Sequence, residues 1–118
     1  MDNPERKIRK YLSDILSSIL EIESFMADRP RMFATFRDDT LFRRGVERNL
    51  EIIGEAMNRT LKINPEIPVT SARKIVDMRN LVIHAYDSLM PEIVWGIVIK
   101  HLPLLKKEVV NLIDNDKI

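Results

Sequence analysis

The sequence predicts an all-α chain, folded as an antiparallel bundle of four to five helices, and three observations carry that expectation. Apolar residues near the start fall at Ile8, Leu12, Ile15, Ile19, Ile22 and Met26. The steps are four, three, four, three and four, which is the period of a helix face and not the alternation of a strand. Only three glycines occur in 118 residues, which argues against hairpin-rich β folds and glycine-built phosphate or dinucleotide loops. Prolines at positions 4, 30, 65, 68, 91 and 103 stand at the edges of the apolar segments, where a helix starts, stops or bends.

The first helical block opens with Asn3 as N-cap and Pro4 at the first helical position. Leu16 and Leu20 widen its apolar stripe, and it should end near Asp28 because Pro30 disfavours helical geometry at Arg29. Residues 29–39 read as a charged connection that ends in three possible caps: Asp38, Asp39 or Thr40. A second block spans about Leu41 to Ile63, with Val46, Leu50, Ile53 and Met57 on its buried side and Phe42 and Ile52 flanking them. Asn64, Pro65 and Pro68 break it. The third block starts near Thr70 or Ser71, turns Ile75, Met78, Val82 and Ala85 to one side, and closes at Asp87-Ser88. The fourth starts at Pro91, carries Ile93, Val94, Trp95 and Ile97, and should kink or break at Pro103. Leu104, Leu105, Val109, Leu112 and Ile113 continue an apolar side beyond it. Helices of about 23 residues are roughly 35 Å long at 1.5 Å per residue, and short connections between them favour antiparallel neighbours.

Composition sets further bounds. The length suits one domain over residues 1–118, large enough to form a core without staples. The absence of cysteine excludes disulfides, thiolate zinc sites and cysteine nucleophiles. Nineteen Lys and Arg against eighteen Asp and Glu leave no bulk charge to argue for nucleic acid or membrane. No apolar run approaches the roughly 20 residues of a membrane span, so a soluble, cytoplasmic protein with no membrane partner is expected.

The chemistry concentrates between Asp77 and Tyr86, where Arg79, Asn80, His84 and Tyr86 supply a guanidinium, an amide, an imidazole and a phenol. Arginine presents a fork of donors suited to phosphate, and histidine exchanges protons near neutral pH. Together they suffice for RNA cleavage without a metal: the imidazole moves a proton while the ribose 2′-hydroxyl attacks phosphorus, and the guanidinium stabilises the charge on the phosphoryl oxygens. On a straight helix Arg79 and His84 diverge by about 140°, so one helix does not aim both at a small target. The long arginine reaching around, a distortion of the helix, or two copies meeting across a two-fold axis would each resolve this, and the third is favoured, because each cleft then draws on both chains. A surface pairing of Arg73 with Asp77, a structural His84 and a packed Tyr86 are the plainer alternatives.

Residues 79–86, Arg-Asn-Leu-Val-Ile-His-Ala-Tyr, match the R-x4-H-x-Y motif of HepT-like proteins in the HEPN superfamily. Val46 through Ala56 resembles that family's second-helix signature, and Pro65-Glu66-Ile67-Pro68 and Ile93-Val94-Trp95 follow in the expected order, so the resemblance runs from about Ile8 to Val110. It implies a helical homodimer acting as the toxin of a type VII toxin–antitoxin pair. It also implies a metal-independent ribonuclease with Arg79 and His84 in a cleft at the dimer interface and Asn80 assisting. The implied antitoxin is an MntA-like minimal nucleotidyltransferase that silences the toxin by transferring AMP from ATP to Tyr86. Added charge and bulk beside Arg79 and His84 would occupy the place of an RNA phosphate. A non-catalytic subunit that binds a nucleotide, or the transferase, at the same place is the alternative from another class.

Other charged groups have plain readings. Arg29, Arg31, Arg37, Arg43, Arg44 and Arg48 could track an RNA backbone, but a solvated face balanced by Asp28, Asp38, Asp39 and Glu47 is favoured. Arg6, Lys7, Arg9 and Lys10 spread over several faces of their helix. His101 beside Lys100 reads as a surface group. With two histidines and no H-E-x-x-H, neither a dedicated metal site nor a cofactor is expected.

Overall fold

The computed structural model describes residues 3–84 and 91–118. Among them it contains six helices and no strand: α1 (Pro4–Ala27), α2 (Phe33–Asp38), α3 (Thr40–Ile63), α4 (Ala72–His84), α5 (Pro91–Lys100) and α6 (Leu102–Asp114). The all-α expectation holds, and the count exceeds four to five for two local reasons. A helix forms inside the charged connection, and the fourth block divides in two.

α1 begins as its sequence dictates. The Asn3 side chain accepts from the Glu5 N–H at 2.7 Å, Pro4 opens the first turn, and Asp28 is the C-cap. Ile8, Leu12, Ile15, Ile19 and Ile22 are all buried, whereas Leu20 is 47% exposed and does not widen the stripe. α3 takes Asp39 as its cap, the Asp39 carboxylate accepting from the Phe42 N–H at 3.0 Å. Its face of Phe42, Val46, Leu50, Ile53 and Met57 is buried as expected.

α1 and α3 lie antiparallel. Phe25 near the end of α1 packs on Gly45 near the start of α3, while Tyr11 near the start of α1 stands beside Arg59 near the end of α3. α6 runs antiparallel to α1 in turn: Lys106 bonds Glu23 at 3.0 Å at one end, and Arg9 meets Ile113 and Asp116 at the other. Buried side chains from all six helices join in one contiguous core.

α2 owes its existence to an aromatic anchor. A six-residue helix is too short to persist alone. Phe36 is fully buried, edge-on to Phe42 at 5.2 Å and 5.3 Å from Trp95 of α5. The charged residues around it only decorate that contact. The break ahead of α6 comes at His101, one turn's start before Pro103, so the proline sits in the first turn of the new helix, where a missing N–H costs nothing. Ile93 and Leu104 are exposed rather than buried, and Val94, Val98 and Leu102 carry the inner side. Ile75 and Met78 of α4 are buried as expected. Ala85, Tyr86 and the Asp87-Ser88 stop lie outside the described residues, and Val82 is described by its backbone alone.

Candidate functional site

The site is built where α4 crosses α3. Gly54 is the crossing point: a methyl group there would come within 2.1 Å of the Arg79 Cβ and 3.3 Å of its Cα. The missing side chain lets the two backbones approach closely, which places the root of Arg79 directly on α3. From that root the guanidinium reaches the next residue of α3, where Arg79 Nη2 meets Glu55 Oε2 at 2.9 Å. Arg79 Nη1 donates to Asn80 Oδ1 at 3.3 Å. The Arg79 side chain is 27% exposed, so it is held yet still reachable. Arg73 and Asp77 form no ion pair with each other among the described residues, and the arginine of the motif is engaged across helices instead.

Glu55 serves two guanidiniums. Its other carboxylate oxygen accepts from Arg59 Nε at 2.9 Å, one turn along α3. The bond from Arg59 holds the Glu55 carboxyl below the usual carboxylate range, with the charges of Arg79, Arg59 and Lys62 acting in the same direction and partial burial opposing them.

An open cleft of about 400 Å³ lies beside this cluster. Its walls are Tyr11 and Asp14 from α1, Arg48, Glu51, Ile52, Glu55, Ala56 and Arg59 from α3, and Arg79 from α4. The α3 residues recur every three or four positions, so one face of a single helix lines the floor. Arg48 pairs with Glu51 at 3.6 Å and Asp14 with Lys10 at 2.9 Å.

The structure therefore brings Arg79 and Asn80 together and places His84 as the last residue of α4, described by its backbone alone; Tyr86 lies outside the described residues. Glu55, Arg59 and Gly54 are the residues that sequence reasoning left without a role. A glycine in the middle of a 24-residue helix, directly before a glutamate, was the available signal for a close crossing. The arginines of the first connection are mostly occupied: Arg29 pairs with Asp39 at 3.3 Å and lies over the Phe42 ring, and Arg37 pairs with Asp38 at 2.8 Å. No three His, Asp or Glu side chains converge as a metal site among the described residues. No helix among them is long and apolar enough to cross a membrane.

The model of the family described as "Ribonuclease HepT-like" matches residues 15–112, which span α1 to α6 and the whole of this cluster. The chain belongs to the HepT-like family. Among its relatives, the "Probable ribonuclease HepT" of Thermococcus cleftensis is 37% identical over 106 residues, covering 86% of this chain and 92% of its own. A protein of Methanocaldococcus jannaschii named "Putative RNase" is 33% identical over 114 residues, covering 93% of this chain and 90% of its own. Another with that name, from Caldanaerobacter subterraneus subsp. tengcongensis, is 30% identical over 112 residues, covering 92% and 96%. No solved structure matches the chain. In this HepT-like chain the family match thus includes both halves of the crossing, Gly54-Glu55 on α3 and Arg79 on α4.

Proposed function

We propose that this HepT-like chain is a metal-independent endoribonuclease and the toxin of a type VII toxin–antitoxin pair, acting as a homodimer. Arg79 carries the reading: a guanidinium fixed on the wall of an open cleft, five residues before the histidine of the motif, in a chain of the ribonuclease HepT-like family. His84 takes the proton of a ribose 2′-hydroxyl, whose oxygen attacks the adjacent phosphorus. The bond to the 5′-oxygen breaks, leaving a cyclic phosphate and a 5′-hydroxyl that receives a proton in return. Arg79 binds the phosphoryl oxygens as negative charge builds on them, and Asn80 supports its orientation. Pairing of two chains brings an arginine and a histidine rooted on different sides of α4 to one phosphodiester.

Tyr86 is the control point. Its phenolic oxygen attacks the α-phosphorus of ATP on the MntA-like transferase, pyrophosphate leaves, and the bound AMP sets a phosphate where the RNA phosphate belongs. The experiment is cleavage of a defined RNA by the purified protein with and without chelator. Cleavage should persist in chelator and vanish in His84→Ala at unchanged helical content. RNA binding without any turnover would replace the nuclease by the non-catalytic alternative. Co-expression with the transferase should add AMP mass to the peptide that contains Tyr86.

A further inference from the structure

We infer that the cleft beside Arg79 is a second RNA subsite, in which Arg59 binds a phosphate neighbouring the scissile one and Glu55 is the positioning residue that holds both guanidiniums. The inference rests on the nuclease reading for the identity of the strand, and its own argument is geometric. One carboxylate receives Arg59 Nε on one oxygen and Arg79 Nη2 on the other, both at 2.9 Å. Arg59 is therefore gripped from behind. Its Nη1 and Nη2 groups, the donors that chelate phosphate, make no hydrogen bond to any carboxylate among the described residues.

The two guanidiniums come from different helices, and only the Gly54 crossing lets them share one partner. Around Glu55 the charges of Arg79, Arg59 and Lys62 outnumber the one carboxylate, while the other two acids of the cleft, Asp14 and Glu51, are paired with Lys10 and Arg48. Tyr11, half-buried on the α1 wall with its phenol beside the Arg59 guanidinium, supplies the aromatic ring of the cleft against which a base would pack. A phosphate at Arg79, a phosphate at Arg59 and an aromatic wall between α1 and α3 are the requirements of a single strand, and the cleft volume lies in the range that holds a nucleotide-sized group. Arg48 is spent on Glu51 and takes no part.

The test is a salt titration of binding, which does not depend on catalysis. A fluorescent single-stranded oligonucleotide with 2′-O-methyl groups, which cannot be cut by its own 2′-oxygen, is bound to wild type, Arg59→Ala, Arg59→Lys and Arg44→Ala. Arg44 is an exposed cation of the same helix that does not line the cleft. Each phosphate contact to a single strand contributes about 0.7 to the slope of log affinity against log salt. Arg59→Ala should lower that slope by about 0.7 and the affinity by about tenfold. Arg59→Lys should restore the slope, and Arg44→Ala should leave it unchanged. In cleavage of unmodified RNA, Arg59→Ala should raise KM with kcat kept, and a dinucleotide substrate with a single phosphate should not feel the change. Glu55→Gln, which releases both guanidiniums at nearly constant volume, should lower kcat as well. If RNA is cleaved but Arg59→Ala leaves both slope and KM alone, or acts no more than Arg44→Ala, the subsite falls while the nuclease stands. If an Arg59-dependent slope appears without any cleavage, the nuclease falls and the subsite stands. No binding of RNA at any salt overturns both.

Discussion

Glu55 decides how the site behaves, because one carboxylate balances two cations drawn from different helices. Its affinity for a proton is lowered in the fold, first by the bond from Arg59 and then by the neighbouring charges. A carboxyl with a depressed folded pKa stabilises the native state above its unfolded value, about 4.3 for glutamate, and loses that contribution as pH falls through the folded value. The stability that depends on Glu55 should therefore be complete at neutral pH and decline only below about pH 4.3. With 38% of the side chain exposed, water and salt screen the effect and keep it small. Urea unfolding of wild type and Glu55→Gln across the acid range checks this. The gap between the two curves should narrow as pH drops and shrink at neutral pH when salt is added. A gap that stays constant with pH would assign the loss to packing and not to charge.

At the scale of elements, the glycines separate close approach from idle flexibility. An alanine at Gly54 gains about 1 kcal/mol of helix propensity but drives a methyl into the stem of Arg79 at 2.1 Å, with the α4 backbone close behind. Overpacking of that kind costs about 1–3 kcal/mol, and neither helix can move without disturbing the core, so the clash wins. Gly54→Ala should lower Tm and weaken RNA cleavage together. At Gly96 in α5 an added methyl meets nothing within 4 Å among the described residues, so Gly96→Ala should raise stability by about 0.5–1 kcal/mol, read by thermal or urea unfolding.

The same comparison explains what was legible from residues alone. The α1 stripe, the Asn3 and Asp39 caps and the buried face of α3 follow from period and cap chemistry, which are local. The helix at Phe33–Asp38 is not local: it depends on Phe36 meeting Phe42 and Trp95, the latter nearly sixty residues away. Replacing that anchor, Phe36→Ala, should cost about 3–5 kcal/mol and remove the amide-exchange protection of α2 ahead of that of α1 and α3. The candidate site divides in the same way. Arg79, Asn80, His84 and Tyr86 stand in one short motif and could be named from it. Glu55 and Arg59 are tied to Arg79 only through a crossing of two helices, for which a lone glycine was the sole cue.

At the scale of the whole molecule, the question is which chain supplies which group. Positions 79 and 84 lie about 140° apart around α4, and Arg79 is already committed toward α3 through Glu55. If each cleft takes Arg79 from one subunit and His84 from its partner, two inactive proteins can rescue each other. In a heterodimer of Arg79→Ala with His84→Ala, one cleft combines both defects and the other combines the intact arginine of one chain with the intact histidine of the other. Random exchange makes half of the dimers mixed, each with one working cleft of two, so the mixture should recover about a quarter of wild-type activity. The recovery should grow as subunits exchange and should vanish when the two proteins are mixed under conditions where dimers do not dissociate. If both groups act within one subunit, every cleft in the mixture lacks one of them and no activity returns. Cleavage kinetics of the mixed proteins, read beside subunit exchange followed by mass, therefore separate a composite cleft from a self-contained one without a structure of the dimer.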